Sequence, residues 1–268
     1  MKKNILIIAY YFPPHSGAGV QRPLRLVNEL VKDGWNVTVI SSNYSYLTID
    51  KSLSKKIPEN INIMYLRDIV SEKIQQLGNV FLSKLYSFLV FPDRMVFWYL
   101  FNIKKIKNIV KENDFDVCLT TSSPFSAHFI GKKIKSIKPN IKWIIDYRDA
   151  WSKNPSIIYS KRKPLLYFLS HIFERYFNKL SDLIMTVSDN LKNDILHNDK
   201  NKIKVIYNGY DCDDFKGLSK KAEIGKNMVF NGIRKVFFYV LFDILHLVFG
   251  VFFINENKFI IRMRVQVS

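Results

Sequence analysis

Short apolar runs alternate with amphipathic segments along most of the chain. The apolar runs are rich in Ile, Val and Leu, and they predict buried strands over residues 4–9, 36–41, 61–66, 116–120, 142–146, 183–187 and 204–207. Between them, apolar residues recur at helical spacing, as in the stripe of Val20, Leu24, Val27 and Val31 that ends before Gly34. Strands that alternate with helices predict an α/β fold, in which a mainly parallel sheet of about seven strands has helices on both faces.

The alternation stops near residue 217, and the segment after it has a different composition. Eight of the 21 Phe lie within the last 43 residues, and residues 236–254 are apolar except for Asp243 and His246. We therefore predict a domain over residues 1–217 and an atypical apolar tail over residues 218–268. Three interpretations of the tail stay open: a frameshifted or degenerate end, a membrane anchor, in which Asp243 would be costly, and an ordinary core helix.

Composition and charge narrow the class of protein. Of the 268 residues, 48% are apolar and 24% charged, which is a globular balance and excludes a disordered chain. The 41 Lys and Arg outnumber the 23 Asp and Glu, and the net charge of +18 favours anionic partners. Two cysteines, Cys118 and Cys212, cannot build a disulfide framework, so a reducing cytosol fits best.

Two apolar segments raise the question of export or membrane contact. Residues 1–12 begin like a signal peptide, but Pro13 and Pro14 follow without a small-residue cleavage site, so we predict a strand there. Residues 80–101 contain too many polar groups to span a bilayer. They predict an amphipathic hairpin lying on an anionic membrane, aided by Lys104, Lys105 and Lys107, with two core-packed helices as the alternative.

The loop after the first predicted strand is rich in small residues and opens onto a helix. Gly17, Ala18 and Gly19 would let backbone amides approach a phosphate or a sugar, whereas a tight turn without a ligand is the alternative. A dinucleotide fingerprint would need a third Gly at the position of Arg22, and an acid at the end of the second strand, where none stands. The loop therefore argues against a nucleotide-dependent oxidoreductase.

Polar residues also follow later strands. Ser122 and Ser123 precede a proline, which is typical of a capped helix start. The fifth strand ends in the run Asp146-Tyr147-Arg148-Asp149-Ala150-Trp151, where an Arg can keep carboxylates ionised and an indole can stack on a sugar. Asn208 and Gly209 form a turn after the last strand, and the nearby carboxylates lack the spacing of a calcium loop, so we predict no metal.

Taken in order, these segments resemble the N-terminal half of family 4 glycosyltransferases with the GT-B fold, in the branch that builds bacterial surface polysaccharides. The resemblance covers residues 3–217, and order and spacing carry it more than any single motif. Its marks are Tyr10-Tyr11-Phe12-Pro13-Pro14 with Gly17-Ala18-Gly19-Val20-Gln21-Arg22, Trp35-Asn36-Val37-Thr38-Val39, Thr121-Ser122-Ser123-Pro124, the run from Asp146 to Trp151, Val187-Ser188, and Asn208-Gly209-Tyr210-Asp211.

The resemblance implies a Rossmann-like domain, one of two that face a cleft in the family. It implies hexosyl transfer from a nucleotide sugar, bound mainly by the second domain, to a lipid-linked or polysaccharide acceptor, bound mainly by the first. Retention of anomeric configuration without a metal or other cofactor is the usual chemistry of the family. A peripheral position on the cytoplasmic face of the cell membrane follows from such an acceptor, and no nucleic-acid partner is expected.

One departure from the family pattern concerns the donor site. The second domain of the family carries a Glu-x7-Glu motif, and no two of the seven Glu here are eight positions apart. We therefore expect a truncated glycosyltransferase, produced by a frameshift and inactive alone, unless a separate donor-domain chain completes it. A noncatalytic module that binds membrane or carbohydrate is the alternative.

The candidate catalytic residues are Asp149, expected to orient or deprotonate an acceptor hydroxyl, and His15 as its alternative. Arg148 is expected to set the charge beside Asp149. The candidate binding residues lie in the loops that follow the strands, and they are Gly17, Ala18, Gly19, Arg22, Ser122, Ser123, Arg148, Trp151, Asn208 and Gly209.

Overall fold

A computed structural model describes residues 3–43, 48–78, 86, 90–154, 163–209, 227–229 and 260–262. The chain divides into two compact units, Met1–Asn208 and Gly209–Ser268. The predicted boundary at residue 217 and the apolar residues 236–254 lie outside the described residues, so both stay predictions.

A seven-stranded sheet forms the centre of the first unit, and every neighbouring pair in it is parallel. Its strands are β1 (Asn4–Ile8), β2 (Asn36–Asn43), β3 (Ile61–Arg67), β4 (Val117–Ser122), β5 (Lys142–Tyr147), β6 (Leu183–Thr186) and β7 (Ile203–Val205). Their order is β3-β2-β1-β4-β5-β6-β7. The predicted Rossmann-like α/β fold is confirmed, with strand ends within two residues of most predicted bounds.

Helices cover both faces of this sheet. They are α1 (Ala18–Lys32), α2 (Lys51–Ser54), α3 (Ile69–Gln76), α4 (Val96–Glu112), α5 (Ala127–Ile137), α6 (Lys163–Leu180) and α7 (Asp189–Asp194). Successive residues of a strand point to opposite faces, so Ile5 and Ile7 of β1 join a core cluster with α1. Leu6 and Ile8 join a second cluster, on the face covered by α4, α5 and α6. The core is therefore two layers divided by the sheet.

The described part of the second unit is one antiparallel pair of short strands, β8 (Asn227–Val229) and β9 (Ile260–Arg262). In the segments that the structure describes, no helix is long and apolar enough to cross a membrane.

A neutral histidine lies inside the cluster under α5. The His128 ring is fully buried, and its Nδ1 lies 2.9 Å from the hydroxyl of Thr120. The same hydroxyl accepts a 3.0 Å hydrogen bond from the indole N–H of Trp143. Burial lowers the pKa of His128 from 6.5 to about 3 because a charged ring would be poorly solvated there.

His128 should make stability depend on pH. Its folded pKa is depressed, so the unfolded chain takes up a proton below pH 6.5 while the native ring stays neutral. The wild type should therefore lose about 2 kcal/mol more unfolding free energy than His128→Gln between pH 8 and pH 5, at about 1.4 kcal/mol per pH unit. Urea titrations at both pH values measure this difference. His197→Gln is the surface control and should lose as much unfolding free energy as the wild type. Equal losses in the wild type and in His128→Gln would contradict a buried neutral His128.

Candidate functional site

The carboxyl ends of β1 and β4 meet at the point where the strand order reverses. From β1 the chain proceeds to β2 on one side, whereas β4 leads to β5 on the other. In parallel α/β sheets, the loops diverge at such a point and form a ligand-binding crevice. The parallel pairing of β1, β4 and β5 places the strand ends and loops that contain Gly17, Ser122 and Asp149 at the same edge of the sheet.

Gly17 fixes the entry into α1. Its φ of 107° and ψ of 172° lie in a region that is essentially restricted to glycine. A Cβ added there would meet nothing within 4 Å, so space is open above the residue. Ala18 is exposed beside it, and the first turn of α1 contains no acidic residue. The start of α1 is therefore an open, unneutralised helix N-terminus.

Arg148 joins the loops on the two sides of the crevice. Its Nη1 donates to the carbonyl of Gly19 at 2.6 Å, and its Nε donates to the carbonyl of Ser122 at 2.6 Å. Nη2 donates to the carbonyl of Ser123 at 2.5 Å. Burial lowers the pKa of Arg148, while the nearby carboxylates of Asp146 and Asp149 oppose that shift. The predicted binding residues of both loops are thus brought together by one side chain.

Arg22 forms a second, deeper connection. Its Nε and Nη2 fork onto the carboxylate of Asp146 at 2.8 to 3.1 Å, and that carboxylate is fully buried. Thr121 donates a 2.8 Å hydrogen bond to the same group. Nη1 donates to the carbonyl of Ile206 and to Oδ1 of Asn208. Arg22 was predicted to bind a ligand, and its guanidinium instead has protein acceptors on three sides.

The two candidate bases differ in their exposure. Asp149 is exposed at the edge of the sheet, and Oγ of Ser123 donates to its Oδ2 at 3.4 Å. His15 is buried, and its Nε2 donates to the carbonyl of Ser42 at 2.9 Å. That bond leaves Nδ1 as a lone-pair nitrogen with no hydrogen-bond partner among the described residues. These contacts establish position alone, so the catalytic roles of Asp149 and His15 stay predictions.

Two other predicted binding residues are less accessible than the sequence suggested. Trp151 is 1% exposed and stacks on Phe125, with ring centroids 5.0 Å apart, inside the core cluster. Its indole is covered by protein, which corrects the prediction that it stacks on a sugar. Ser122 is also buried, and its hydroxyl donates to the carbonyl of Asp146. Gly209 belongs to the second unit, and its binding role stays a prediction.

Glu174 is a supporting residue that the sequence pattern did not single out. This buried carboxylate of α6 accepts 2.9 Å hydrogen bonds from the backbone N–H groups of Ser152 and Leu196. It therefore fixes the segment that follows Asp149. The available signal was an acid between Phe173 and Phe177, on the apolar side of an amphipathic helix.

No metal centre is apparent in the part of the chain that the structure describes. Among those residues, no three His, Cys, Asp or Glu side chains are grouped closely enough to hold an ion. The carboxylates at positions 211, 213 and 214 lie outside the described residues.

Removing the carboxylate charge of Asp146 should destabilise the fold. Asp146→Asn leaves the Arg22 charge buried without its counterion, and loss of one partner of a buried pair costs about 3 kcal/mol or more. Asp114→Asn breaks the exposed pair with Lys138 and should cost under about 1 kcal/mol. Chemical denaturation of both variants measures the contrast, and similar costs would show that the Arg22 pair is not a major contributor.

Comparison with known proteins identifies the family. The model of Glycosyltransferase Family 4 matches residues 20–214. No curated protein matches the chain.

Similar solved structures share little sequence with the chain. UGT2 of Phytolacca americana, complexed with UDP-2fluoro-glucose and pterostilbene, is 10% identical over 80% of this chain and 57% of its own, with a TM-score of 0.48. A putative UDP-N-acetylglucosamine 2-epimerase from Listeria monocytogenes is 11% identical over 76% of this chain and 44% of its own, with a TM-score of 0.45. SsfS6, a glycosyltransferase from Streptomyces sp. SF2575, is 13% identical over 78% and 56%, with a TM-score of 0.42.

The chain spans about half the length of these solved structures. The family model, in contrast, covers most of the chain, from the first helix to the segment beyond β7. The chain therefore belongs to Glycosyltransferase Family 4.

Proposed function

We propose that this chain is the acceptor-side part of a glycosyltransferase that moves a hexosyl group from a nucleotide sugar to a lipid-linked or glycan acceptor. Family membership supports sugar transfer in general. The observation that carries the proposal further is the reversal of strand order between β1 and β4, where Arg148 ties both loops and no side chain caps the start of α1. Ligands of parallel α/β sheets bind in such crevices, which lie outside the carboxyl ends of the strands.

The open start of α1 suits the phosphates of a nucleotide sugar. The positive end of the helix dipole and the backbone N–H groups of the first turn attract anions. Gly17 provides space above the turn, and Gly19 has little room for a side chain, since an added Cβ would lie 3.2 Å from Tyr11 and 3.4 Å from Arg148. A loop of small residues thus permits a close approach of backbone to phosphate.

The transfer breaks the bond between the anomeric carbon and the diphosphate oxygen and forms a bond to the acceptor oxygen. The acceptor hydroxyl loses its proton, and the leaving diphosphate carries away the electron pair. Asp149 is the proposed proton acceptor because it is exposed at the crevice edge, next to Ser123. His15 is the alternative through its lone-pair Nδ1. The guanidinium of Arg148 interacts electrostatically with Asp149 and places a positive charge beside it.

The donor needs contacts beyond this unit. We propose that a donor-binding region with the paired glutamates of the family works with this chain, as a further part of it or as a separate chain. The site would face the cytoplasm at the inner membrane surface, where lipid-linked acceptors are exposed. The chain alone would then contact both substrates too weakly to fix them together, which transfer requires.

Sugar transfer can be tested directly. The purified chain is incubated with UDP- and GDP-sugars and lipid-linked acceptors, with and without a family donor-domain polypeptide, and products are followed by mass spectrometry. Product only in the presence of the donor domain is expected. Product from the chain alone would show that its own residues complete a donor site. Acceptor binding without product in either mixture would favour the noncatalytic module.

Asp149→Asn should lower kcat in any mixture that shows turnover. Loss of a general base typically costs 10²- to 10⁴-fold, and a fall of about 100-fold or more is expected with little change in KM. Asp114→Asn, an exposed carboxylate before β4 at the opposite edge of the sheet, is the matched control and should retain full turnover. If Asp149→Asn keeps full activity and His15→Gln loses activity, His15 rather than Asp149 is the proton acceptor.

A further inference from the structure

One helix of the first unit is apolar on both sides. The inner side of α6 carries the buried Phe177 and Glu174. Its outer side exposes Leu165, Phe168, Ile172 and Tyr176, each between 45% and 60% accessible. These four positions follow steps of three, four and four residues, so they form one continuous stripe. Isolated exposed apolar residues are ordinary, but a stripe of four on one helix marks an interaction surface.

Cations accompany this stripe. Arg175 and Lys179 are exposed and, by their helical spacing, lie on the same side of α6 as Ile172 and Tyr176. We call these six residues, Leu165, Phe168, Ile172, Arg175, Tyr176 and Lys179, the α6 face. The only acidic residue of α6 is Glu174, and it is buried. The α6 face is therefore amphipathic and carries positive charge without a compensating acid.

The neighbouring helices have the same character. Helices α4, α5 and α6 cover one side of the sheet, and together they contain ten Lys and Arg against two Glu. Helix α4 exposes Leu100 and Phe101, with Lys104 and Lys105 exposed one turn further on. Helices α4 and α6 therefore both combine exposed apolar groups with an excess of cations.

Along the α6 face, the apolar residues begin near the first turns of the helix and the cations lie nearer its last turns, although Lys163 also begins the helix. A helix between parallel strands runs back from the carboxyl edge of the sheet, so its first turns lie on the side of the candidate site. Leu165 and Phe168 lie in the first turns of α6, whereas Lys179 lies in the last. The apolar end of the layer is thus the end beside the crevice.

We propose that the α6 face is a membrane-docking surface that binds an anionic bilayer. Large apolar side chains insert at the boundary between head groups and acyl chains, and nearby cations meet acidic head groups. An RNA would explain the cations but gains little from exposed Leu and Ile. A protein partner would explain the apolar stripe but would need acidic residues that match the cations. This inference rests on the membrane position in the proposed function, but vesicle binding needs no sugar transfer, so the two can fail separately.

The proposed surface is not the one that the sequence predicted. Residues 80–101 were expected to lie on the membrane, but residues 79–85 and 87–89 lie outside the described residues, and Trp98 is buried in the core. Lys104 and Lys105 are exposed as expected, and Lys107 is half-buried. The α6 face adds a described, continuous surface on the same side of the sheet.

Cosedimentation with sucrose-loaded vesicles tests the apolar part. The full chain is compared with Leu165→Ser/Phe168→Ser/Ile172→Ser on vesicles of phosphatidylcholine with about 30% phosphatidylglycerol, a composition on the order of the anionic content of a membrane leaflet. The triple variant should bind at least tenfold more weakly. Ile49→Ser removes an equally exposed apolar side chain from the connection before α2 and should bind like the wild type.

A second pair of variants tests the charge. Arg175→Gln/Lys179→Gln should bind these vesicles roughly 25-fold more weakly, which is about fivefold per cation, and should lose part of the salt dependence. Lys51→Gln/Lys55→Gln removes two exposed cations with the same spacing from the α2 region and should have little effect. Circular dichroism and thermal unfolding confirm that each variant is folded, as expected for surface substitutions.

Three results would overturn the proposal. The first is vesicle binding that the α6 variants leave unchanged, which would assign binding to another segment. The second is equal binding to pure phosphatidylcholine and to anionic vesicles. The third is a wild type that does not bind vesicles. This outcome includes a wild type that self-associates or binds RNA through the α6 face instead.

Discussion

The buried guanidinium of Arg22 determines how the carboxyl edge of the sheet is assembled. Its donors reach Asp146 on β5 and the segment after β7, so one side chain of α1 connects positions up to 186 residues apart. Asp146 in turn accepts from Thr121 of β4. Neither charge is tolerable there alone, since a buried ion without its partner retains the full desolvation penalty. The pair therefore requires that α1, β4, β5 and the chain beyond β7 adopt these positions together.

Arg148 connects the loops that follow β1 and β4 at the same edge of the sheet. Each of its three guanidinium nitrogens donates to a carbonyl oxygen, and these belong to Gly19, Ser122 and Ser123. The carbonyl groups of the two loops therefore point toward Arg148. No side chain caps the start of α1, and its first turn contains no acidic residue. A ligand at the crevice thus meets backbone donors and a helix N-terminus, which is an environment for anions. The hydrogen bonds of Arg22 and Arg148 are made to protein acceptors, and they fix the positions of the polar groups at the carboxyl edge of the sheet.

The strands and the edge could be predicted from sequence because both follow from local pattern and topology. Apolar runs such as that of β1 are long enough only for strands, and parallel strands bring their post-strand loops to one edge. The roles of Trp151 and Arg22 could not be read in the same way. Whether an indole in a polar loop turns inward depends on Phe125, and the partner of Arg22 lies 124 positions away. The local sequence shows which residue types are present in a loop. The roles of Trp151 and Arg22 depend on contacts with residues that are distant in the sequence.

The two sides of the sheet are built under different constraints. On the side of α1, the helix presents one apolar stripe to the sheet, and its other face is polar. On the opposite side, the core already contains the large rings of Trp98, Trp143, Trp151 and Phe177, which fill the space between the sheet and the helices. The outer Leu, Phe and Ile of α6 are therefore not needed for packing. Large apolar side chains that lie on the outer side of a helix next to exposed Arg175 and Lys179 suit a membrane boundary.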